Sequence, residues 1–241
     1  MKHFLIIILI LGLWGTSAAH AQVDSIAPRK FKAGAYVFPA ALVAYGVLVH
    51  TVEPLHKFDK YIDRQMADLD LHTAVDDYLQ YAPAVAVYAL DVCGVKAEHG
   101  FRDRTLVLAS SYLMTGIAVT AVKYATHVSR PTGTANNSFP SGHTATAFTG
   151  AHILFHEYKA ASPWVAAGGY IAATATGMMR VTNRRHWLGD VVAGAGVGIL
   201  SVEIAYRLLP VFRKAIGIPG NLAVMPAVGI DNYGVGIACV F

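Results

Sequence analysis

Two basic side chains near the middle of the chain are spaced for a shared ligand. The stretch KYATHVSRP places Lys123 and Arg130 seven residues apart, directly after an uncharged apolar segment. Seven residues make about two helical turns, so both side chains project from one face near a helix end. Pro131 then ends that helix. Two neighbouring cations can bind an anion, although solvated charges at a helix end explain the pair equally well when it is taken alone.

A second group of residues opens the next apolar segment. In NSFPSGHTATAF, Ser141 stands where a helix N-cap is expected, and Gly142 and His143 follow it. The first turn of a helix leaves backbone N–H groups unpaired, and a glycine lets a ligand approach them. Such a helix terminus binds anions. The simpler alternative is an ordinary cap followed by a partly buried histidine.

A third group lies further along the chain, in the stretch RVTNRRHWLGD. Arg180 stands six residues before His186, and Asp190 follows that histidine by four residues. Four residues make about one helical turn, so the carboxylate can orient the imidazole. The alternative is a basic interfacial loop with a structural His–Asp hydrogen bond.

The three groups meet if the apolar segments run as alternating helices. Segment 144–156 then leads away from the second group, and segment 162–179 returns to the third. One end of the bundle would hold three cations, two histidines, a carboxylate and a helix N-terminus. Fixed cations and free N–H groups match a tetrahedral oxyanion. Two histidines can supply a nucleophile and an acid.

Together the three motifs resemble the signature of the type 2 phosphatidic acid phosphatase and vanadium haloperoxidase superfamily. The patterns K-x6-R-P, P-S-G-H and R-x5-H-x3-D occur in order between Lys123 and Asp190. The surrounding apolar segments fit the helical bundle of that family. One departure is Met179, because the family often has a serine just before the third-motif arginine. A hydroxyl contact to phosphate is therefore in doubt at this position.

The resemblance implies a role for each motif residue. His186 would attack phosphorus and form a phosphohistidine, and Asp190 would hold its ring. His143 would protonate the leaving alkoxide and then help to activate water. The phosphoryl oxygens would be bound by the other motif residues, Lys123, Arg130, Ser141, Gly142 and Arg180. Since phosphoryl transfer needs mainly positioning and charge neutralisation, these cations could serve without a metal, and no cofactor is expected.

Composition places these residues in a membrane protein or a very apolar helical bundle. Of the 241 residues, 55% are hydrophobic and 14% are charged, whereas soluble domains average about 25% charged. The net charge is +4 with a pI near 9.0, but the chain has no run of basic residues with interleaved aromatics, which argues against a nucleic-acid partner. The basic excess suits anionic headgroups or a phosphate ligand. The two cysteines indicate no disulfide framework.

Segments that are poor in charge predict an all-α bundle of about six apolar helices embedded in a membrane. They are 33–52, 78–95, 105–122, 144–156, 162–179 and 191–209. Because a membrane span needs about 20 apolar residues, several are marginal, and a soluble bundle is the alternative. Apolar residues at helical spacing in 55–69 predict an amphipathic helix. The tail, with a turn at 231–234, predicts a short β-hairpin.

This pattern divides the chain into four parts. Residues 1–21 are predicted to be a signal peptide, 22–77 apolar and amphipathic segments, 78–210 the phosphatase core, and 211–241 the tail with the hairpin. The signal peptide is predicted from Lys2, the apolar stretch 4–14 and a cleavage site after Ala21.

Basic residues predict the orientation of the site. Outside the motifs they concentrate in the loops opposite the site, which puts the site on the periplasmic side of an inner membrane. A cleaved N-terminus on that side requires an even number of crossings before Lys123. Either one of the three apolar segments there fails to cross, and 33–52, interrupted by Pro39, is the predicted one, or the bundle is a soluble or peripheral periplasmic one.

Two further patterns are predicted to be structural. His152 and His156 are four residues apart with Glu157 beside them, a spacing that suits zinc. Without a convincing third ligand, packed or interfacial histidines are favoured and no metal site is predicted. The sequence GAGVG at 194–198 lies in an apolar segment with no preceding strand, so it indicates helix packing rather than a nucleotide loop.

The favoured function is a phosphatase that acts on a lipid phosphate, such as a phosphatidate-like lipid, a polyprenyl diphosphate or lipid A. Its expected partners are that substrate and membrane lipids, and the oligomeric state is left open. The main alternative is a periplasmic non-specific acid phosphatase that acts on small phosphomonoesters. A vanadate-dependent haloperoxidase and a non-enzymatic membrane module are further alternatives, and the complete motif set argues against the second of these.

Overall fold

A bundle of helices makes up most of the chain. The computed structural model describes residues 33–69 and 73–216, together with the backbone of 222–228 and 233–239. Eight helices lie within these ranges: α1 Gly34–Thr51, α2 Glu53–Leu69, α3 Val75–Leu79, α4 Ala82–Val92, α5 Phe101–Thr126, α6 Gly142–Tyr158, α7 Pro163–Thr182 and α8 Leu188–Ala215. The predicted helical bundle is confirmed. The predicted signal peptide lies outside the described residues.

The four helices from α5 to α8 run in alternating directions. Near the end of α8, the Arg213 Nε donates to the Asp103 Oδ1 near the start of α5 at 2.8 Å. At the other end of the bundle, the Ser141 N–H at the start of α6 donates to the Asp190 carbonyl in the first turn of α8 at 3.0 Å. The end of α5, the start of α6, the end of α7 and the start of α8 therefore meet, as the threading of the segments predicts.

The first helix, α1, packs along α8 and runs toward this same end. The Tyr36 hydroxyl near its start contacts the Glu203 carbonyl at 3.5 Å, whereas the His50 Nε2 near its end lies 2.8 Å from the Asp190 Oδ1. Segment 78–95 forms a helix of only 11 residues, α4. The prediction that 33–52 is the segment that fails to cross stays a prediction, although α1 has 18 residues and α4 is the shorter helix.

Among the described residues, three helices are long and apolar enough to cross a membrane, namely α1, α5 and α8. Large apolar side chains are exposed on several helices, among them Phe38 on α1, Leu113 and Ile117 on α5, and Ile171 on α7. Since soluble proteins rarely expose large contiguous apolar surfaces, these are the features of a membrane protein.

Helix α6 lies at the centre of the bundle and is surrounded by its neighbours. Small residues such as Ala147, Gly150 and Ala151 are buried on it, and Ile153 and Tyr158 are buried nearer its end. A helix that is buried on all sides needs no polar face. This explains why segment 144–156 is poor in charge although it is too short to span a membrane.

Glycines on α8 bring its backbone against the neighbouring helices. A Cβ at Gly194 would lie 2.5 Å from the Ser141 carbonyl oxygen, and one at Gly198 would lie 2.5 Å from the Ala145 carbonyl oxygen. On another face, a Cβ at Gly196 would lie 2.6 Å from the Pro39 carbonyl oxygen of α1. The packing role predicted for GAGVG is confirmed, because no side chain fits at these positions without a shift of the helices.

The remaining elements flank the bundle. The predicted amphipathic helix is α2, whose Asp59 accepts a hydrogen bond from the Gly189 N–H at 3.0 Å. Two strands, β1 Leu222–Val228 and β2 Tyr233–Cys239, pair antiparallel. Of the turn predicted at 231–234, Tyr233 and Gly234 instead lie in β2, and 231–232 lie outside the described residues.

We predict that Gly198→Ala destabilises the bundle, whereas Gly116→Ala on α5 does not. The first substitution places a methyl group against the α6 backbone, and the second meets no atom within 4 Å. Overpacking costs about 1–3 kcal/mol, which lowers the unfolding midpoint by roughly 2–4 °C per kcal/mol. Thermal unfolding of the detergent-purified variants measures the difference. Equal midpoints for the two variants would contradict the close α6–α8 packing.

Candidate active site

All three predicted groups lie at the end of the bundle where α5 ends and α6 and α8 begin. Lys123 is in the last turn of α5, and Arg180 is in the last turn of α7. His143 is in the first turn of α6, and Asp190 is in the first turn of α8. The alternating helices thus bring together residues that are up to 67 positions apart in the chain.

The carboxylate of Asp190 is fully buried beside the imidazole of His186. The His186 Nδ1 lies 3.6 Å from the Asp190 Oδ2. That same oxygen accepts hydrogen bonds from the Ser138 hydroxyl and from the Trp187 N–H. Because Nδ1 faces the carboxylate, Nε2 is the ring nitrogen that can meet a substrate.

The buried position of His186 controls its charge. Burial lowers the pKa of His186 to about 4, although Asp190 acts in the opposite direction. At neutral pH the imidazole is therefore uncharged and keeps the lone pair that a nucleophile needs. Asp190 can then stabilise the positive charge that develops on the ring as it reacts.

The prediction that Lys123 and Arg130 lie on one helix is wrong, because α5 ends at Thr126 and Arg130 lies in the loop beyond it. Asn137 of that loop contacts both cations. The Lys123 ammonium donates to the carbonyl oxygens of Asn137 and Ser138, and the Arg130 Nε donates to the Asn137 Oδ1 at 3.0 Å. Burial and the nearby Arg180 lower the pKa of Arg130. Cations that repel one another in a partly buried space favour the binding of an anion between them.

The third cation, Arg180, is buried and keeps one donor for a ligand. Its Nη1 donates to the Asp76 Oδ2 at 2.5 Å and lies 3.5 Å from the Asp77 Oδ1. Its Nε is buried and has no hydrogen-bond partner among the described residues. Because buried N–H groups are nearly always satisfied, this donor indicates a ligand that binds here.

His143 is partly exposed at the mouth of the site. Its Nε2 lies 2.8 Å from the Asp77 Oδ1, and the exposed fraction of its side chain is 30%. Burial and the nearby Arg180 lower the pKa of His143, and the carboxylate of Asp77 acts in the opposite direction. This arrangement suits a group that donates a proton to a departing oxygen.

Ser141 and Gly142 take different places in the site. The Ser141 side chain is fully buried and accepts a hydrogen bond from the Thr144 hydroxyl at 2.9 Å, so its predicted contact with phosphate stays a prediction. At Gly142 an added Cβ would meet only Val119, at 3.7 Å. Protein packing does not demand a glycine there, and the open space suits a ligand that approaches the backbone.

Four polar residues from the first third of the chain complete the site and were not predicted from the sequence. His50 contacts Asp190, Asp59 binds the start of α8, and Asp76 and Asp77 bind Arg180 and His143. One feature of the sequence could have identified His50, because it is a polar residue near the end of an otherwise uncharged segment. The aspartates carried none, because their partners lie more than 60 residues away in the chain.

The match to a known protein family covers the same part of the chain as the site. Residues 104–214 match the profile of the PAP2 superfamily, and this range contains all three motifs. The resemblance that the motifs predict is confirmed.

Part of the chain is also similar to a named bacterial protein. The chain is 41% identical over 148 residues to the lipid A 1-phosphatase of Porphyromonas gingivalis. The alignment covers 61% of this chain but only 33% of that protein. The chain therefore spans about a third of the length of the relative that it matches.

Two crystal structures resemble the fold. The transmembrane PAP2-type phosphatidylglycerolphosphate phosphatase of Bacillus subtilis gives a TM-score of 0.50 at 16% identity, over 76% of this chain and 96% of that one. LpxE of Aquifex aeolicus gives 0.46 at 21% identity, over 62% and 92%. The first similarity shows that this helical arrangement occurs in a PAP2 protein of the membrane.

We predict that tungstate, a tetrahedral oxyanion, raises the unfolding midpoint of the protein and that Arg130→Gln weakens this effect. A hydrogen bond to a charged group contributes about 1.5–3 kcal/mol, so tungstate affinity should fall about tenfold or more. Thermal unfolding against tungstate concentration measures the affinity. Arg64→Gln, at an exposed position on α2, is the matched control and should bind like the wild type. An unchanged affinity in Arg130→Gln would contradict the oxyanion site.

Proposed function

We propose that the protein is a phosphatase that hydrolyses a lipid phosphate through a phosphohistidine. The observation that carries the proposal is the buried His186 held by Asp190 at the end of the bundle where Lys123, Arg130 and Arg180 also lie. The PAP2 match over the same residues supports it. A hydrophobic bundle around the site supports a lipid rather than a small soluble ester.

In the first step the His186 Nε2 attacks phosphorus. A P–N bond forms and the bond from phosphorus to the lipid oxygen breaks, while His143 gives its proton to that oxygen. Lys123, Arg130 and Arg180 neutralise the charge that spreads over the other phosphoryl oxygens. The Arg180 Nε, buried without a partner among the described residues, is a donor for this charge.

In the second step water replaces the histidine. His143, now neutral, accepts a proton from the water as its oxygen bonds to phosphorus and the P–N bond breaks. Inorganic phosphate and free His186 result. Asp77 is the positioning residue in this cycle, because it holds His143 at 2.8 Å and favours its protonated form before the next turnover.

Within the lipid phosphates, we propose the 1-phosphate of lipid A as the substrate. The support is the 41% identity to the P. gingivalis lipid A 1-phosphatase, which extends over 148 residues. Phosphatidate-like lipids and polyprenyl diphosphates present the same phosphoryl group and are the competing substrates. A panel of purified lipids distinguishes them.

We further propose that the site faces the periplasm. Arg102, Lys159 and Lys214 lie at or just beyond helix ends away from the site, and the positive-inside tendency puts those ends in the cytoplasm. Helix α1 runs toward the site, so its first residues then lie on the cytoplasmic side.

We predict that His186→Ala lowers phosphate release from lipid A by about a thousandfold or more, because the covalent step is lost. Release of inorganic phosphate by the purified protein in detergent measures this. His127→Asn is the control, since His127 is exposed and its left-handed backbone, with φ of 49°, suits asparagine. Full release by His186→Ala would contradict the mechanism. Equal turnover of para-nitrophenyl phosphate and lipid A by the wild type would contradict the lipid specificity.

A further inference from the structure

A second cluster of ionisable side chains lies between α6 and α8, away from the site. His152 and His156 on α6 each place Nε2 2.9 Å from the Glu203 Oε1 on α8. The two Nε2 atoms are 3.2 Å apart. Three atoms that each carry a lone pair thus converge on one point.

This cluster is separate from the phosphate site. His152 follows His143 by nine residues on α6, and Glu203 follows Asp190 by thirteen on α8. At 1.5 Å per residue, the cluster lies about 13–20 Å along the helices from the reacting groups. None of its members has a role in the proposed phosphatase mechanism.

Burying the Glu203 carboxylate costs free energy unless a positive charge lies beside it. The exposed fractions are 8% for His152 and 6% for His156, and the Glu203 side chain is 12% exposed. Glu203 also lies within α8, a helix that is long and apolar enough to cross a membrane. An ionisable residue at such a position is normally paired with a compensating group and has a function.

We propose that His152, His156 and Glu203 bind a divalent transition-metal ion, with Zn²⁺ the best fit. Zinc binds imidazole nitrogens and carboxylate oxygens at about 2.0–2.2 Å, so neighbouring ligands of a tetrahedral ion are about 3.3 Å apart. The three ligand atoms lie 2.9, 2.9 and 3.2 Å from one another, which is close to this ligand–ligand separation. Three protein ligands leave the fourth position for another donor.

The surroundings of His152 support metal binding. Its Nδ1 lies 2.5 Å from the Tyr170 hydroxyl on α7. Histidines that bind metals nearly always donate their other ring N–H to an acceptor, which directs the ligating nitrogen. Tyr170 can take that part here, so the ion would join α6 and α8 and would be supported from α7.

The third ligand differs from the one that the sequence suggests. Glu157 stands beside His156, but its carboxylate accepts hydrogen bonds from the His99 N–H at 2.9 Å and from the Tyr206 hydroxyl. Glu203, 47 residues beyond His156, takes the position instead. The prediction of no metal site rested on the missing third ligand, and Glu203 supplies it.

Metal content tests the proposal on the full chain. Detergent-purified protein is stripped with a chelator, incubated with Zn²⁺, desalted and analysed by mass spectrometry for zinc per chain. We expect about one zinc per chain in the wild type and a rise in its unfolding midpoint with Zn²⁺. Glu203→Gln should bind at least tenfold more weakly, and Tyr170→Phe about tenfold more weakly, as expected for a lost supporting contact.

Two control variants test whether zinc binds at this cluster or at other histidines. His186→Ala and the exposed control His127→Asn should both keep one zinc per chain, because neither residue belongs to the cluster. Circular dichroism shows whether each variant folds, and Tyr170→Phe decides the outcome if Glu203→Gln does not fold. Wild-type protein without bound zinc would overturn the proposal. So would equal zinc affinity in the wild type and in every folded variant of the cluster, or loss of zinc in His186→Ala.

Discussion

The buried carboxylate of Asp190 is the constraint on which this end of the molecule depends. A charged group that is removed from solvent needs hydrogen bonds and partners of opposite charge to offset the loss of hydration. Asp190 receives them from the end of α1 through His50, from the loop before α6 through Ser138, and from the start of α8 through the Trp187 N–H. The geometry of His186 follows, because its ring lies against the same carboxylate. One buried charge therefore fixes the relative positions of three elements and the nucleophile.

Close packing of the helices makes this arrangement possible. Glycines on α8 let its backbone touch α6 and α1, so the first turns of α6 and α8 lie side by side. The acidic residues of α3 then reach Arg180 and His143 from the other side. The site is thus enclosed by carboxylates that orient its cations and histidines, and by cations that remain available to a phosphoryl group. The same two helices carry the His152, His156 and Glu203 cluster further along their length.

Local spacing in the sequence was sufficient to predict the motif residues, because each motif joins residues only a few positions apart. It did not predict where the helices end, since Arg130 lies beyond the end of α5 at Thr126 and His186 precedes the start of α8 at Leu188. Contacts such as His50–Asp190, Asp76–Arg180 and His156–Glu203 span 140, 104 and 47 residues. They depend on which helices become neighbours, and periodicity carries no information about that.

The central claim is that His186 carries the phosphoryl group during turnover. Lipid A with a ³²P label in its 1-phosphate is mixed with excess protein and the reaction is stopped with denaturing alkali, under which phosphohistidine survives. Peptide mapping then locates the label. The account predicts transient label on the peptide that contains His186, formed and lost at the rate of phosphate release. Label on another residue, or full phosphate release with no labelled chain at any time, would contradict it.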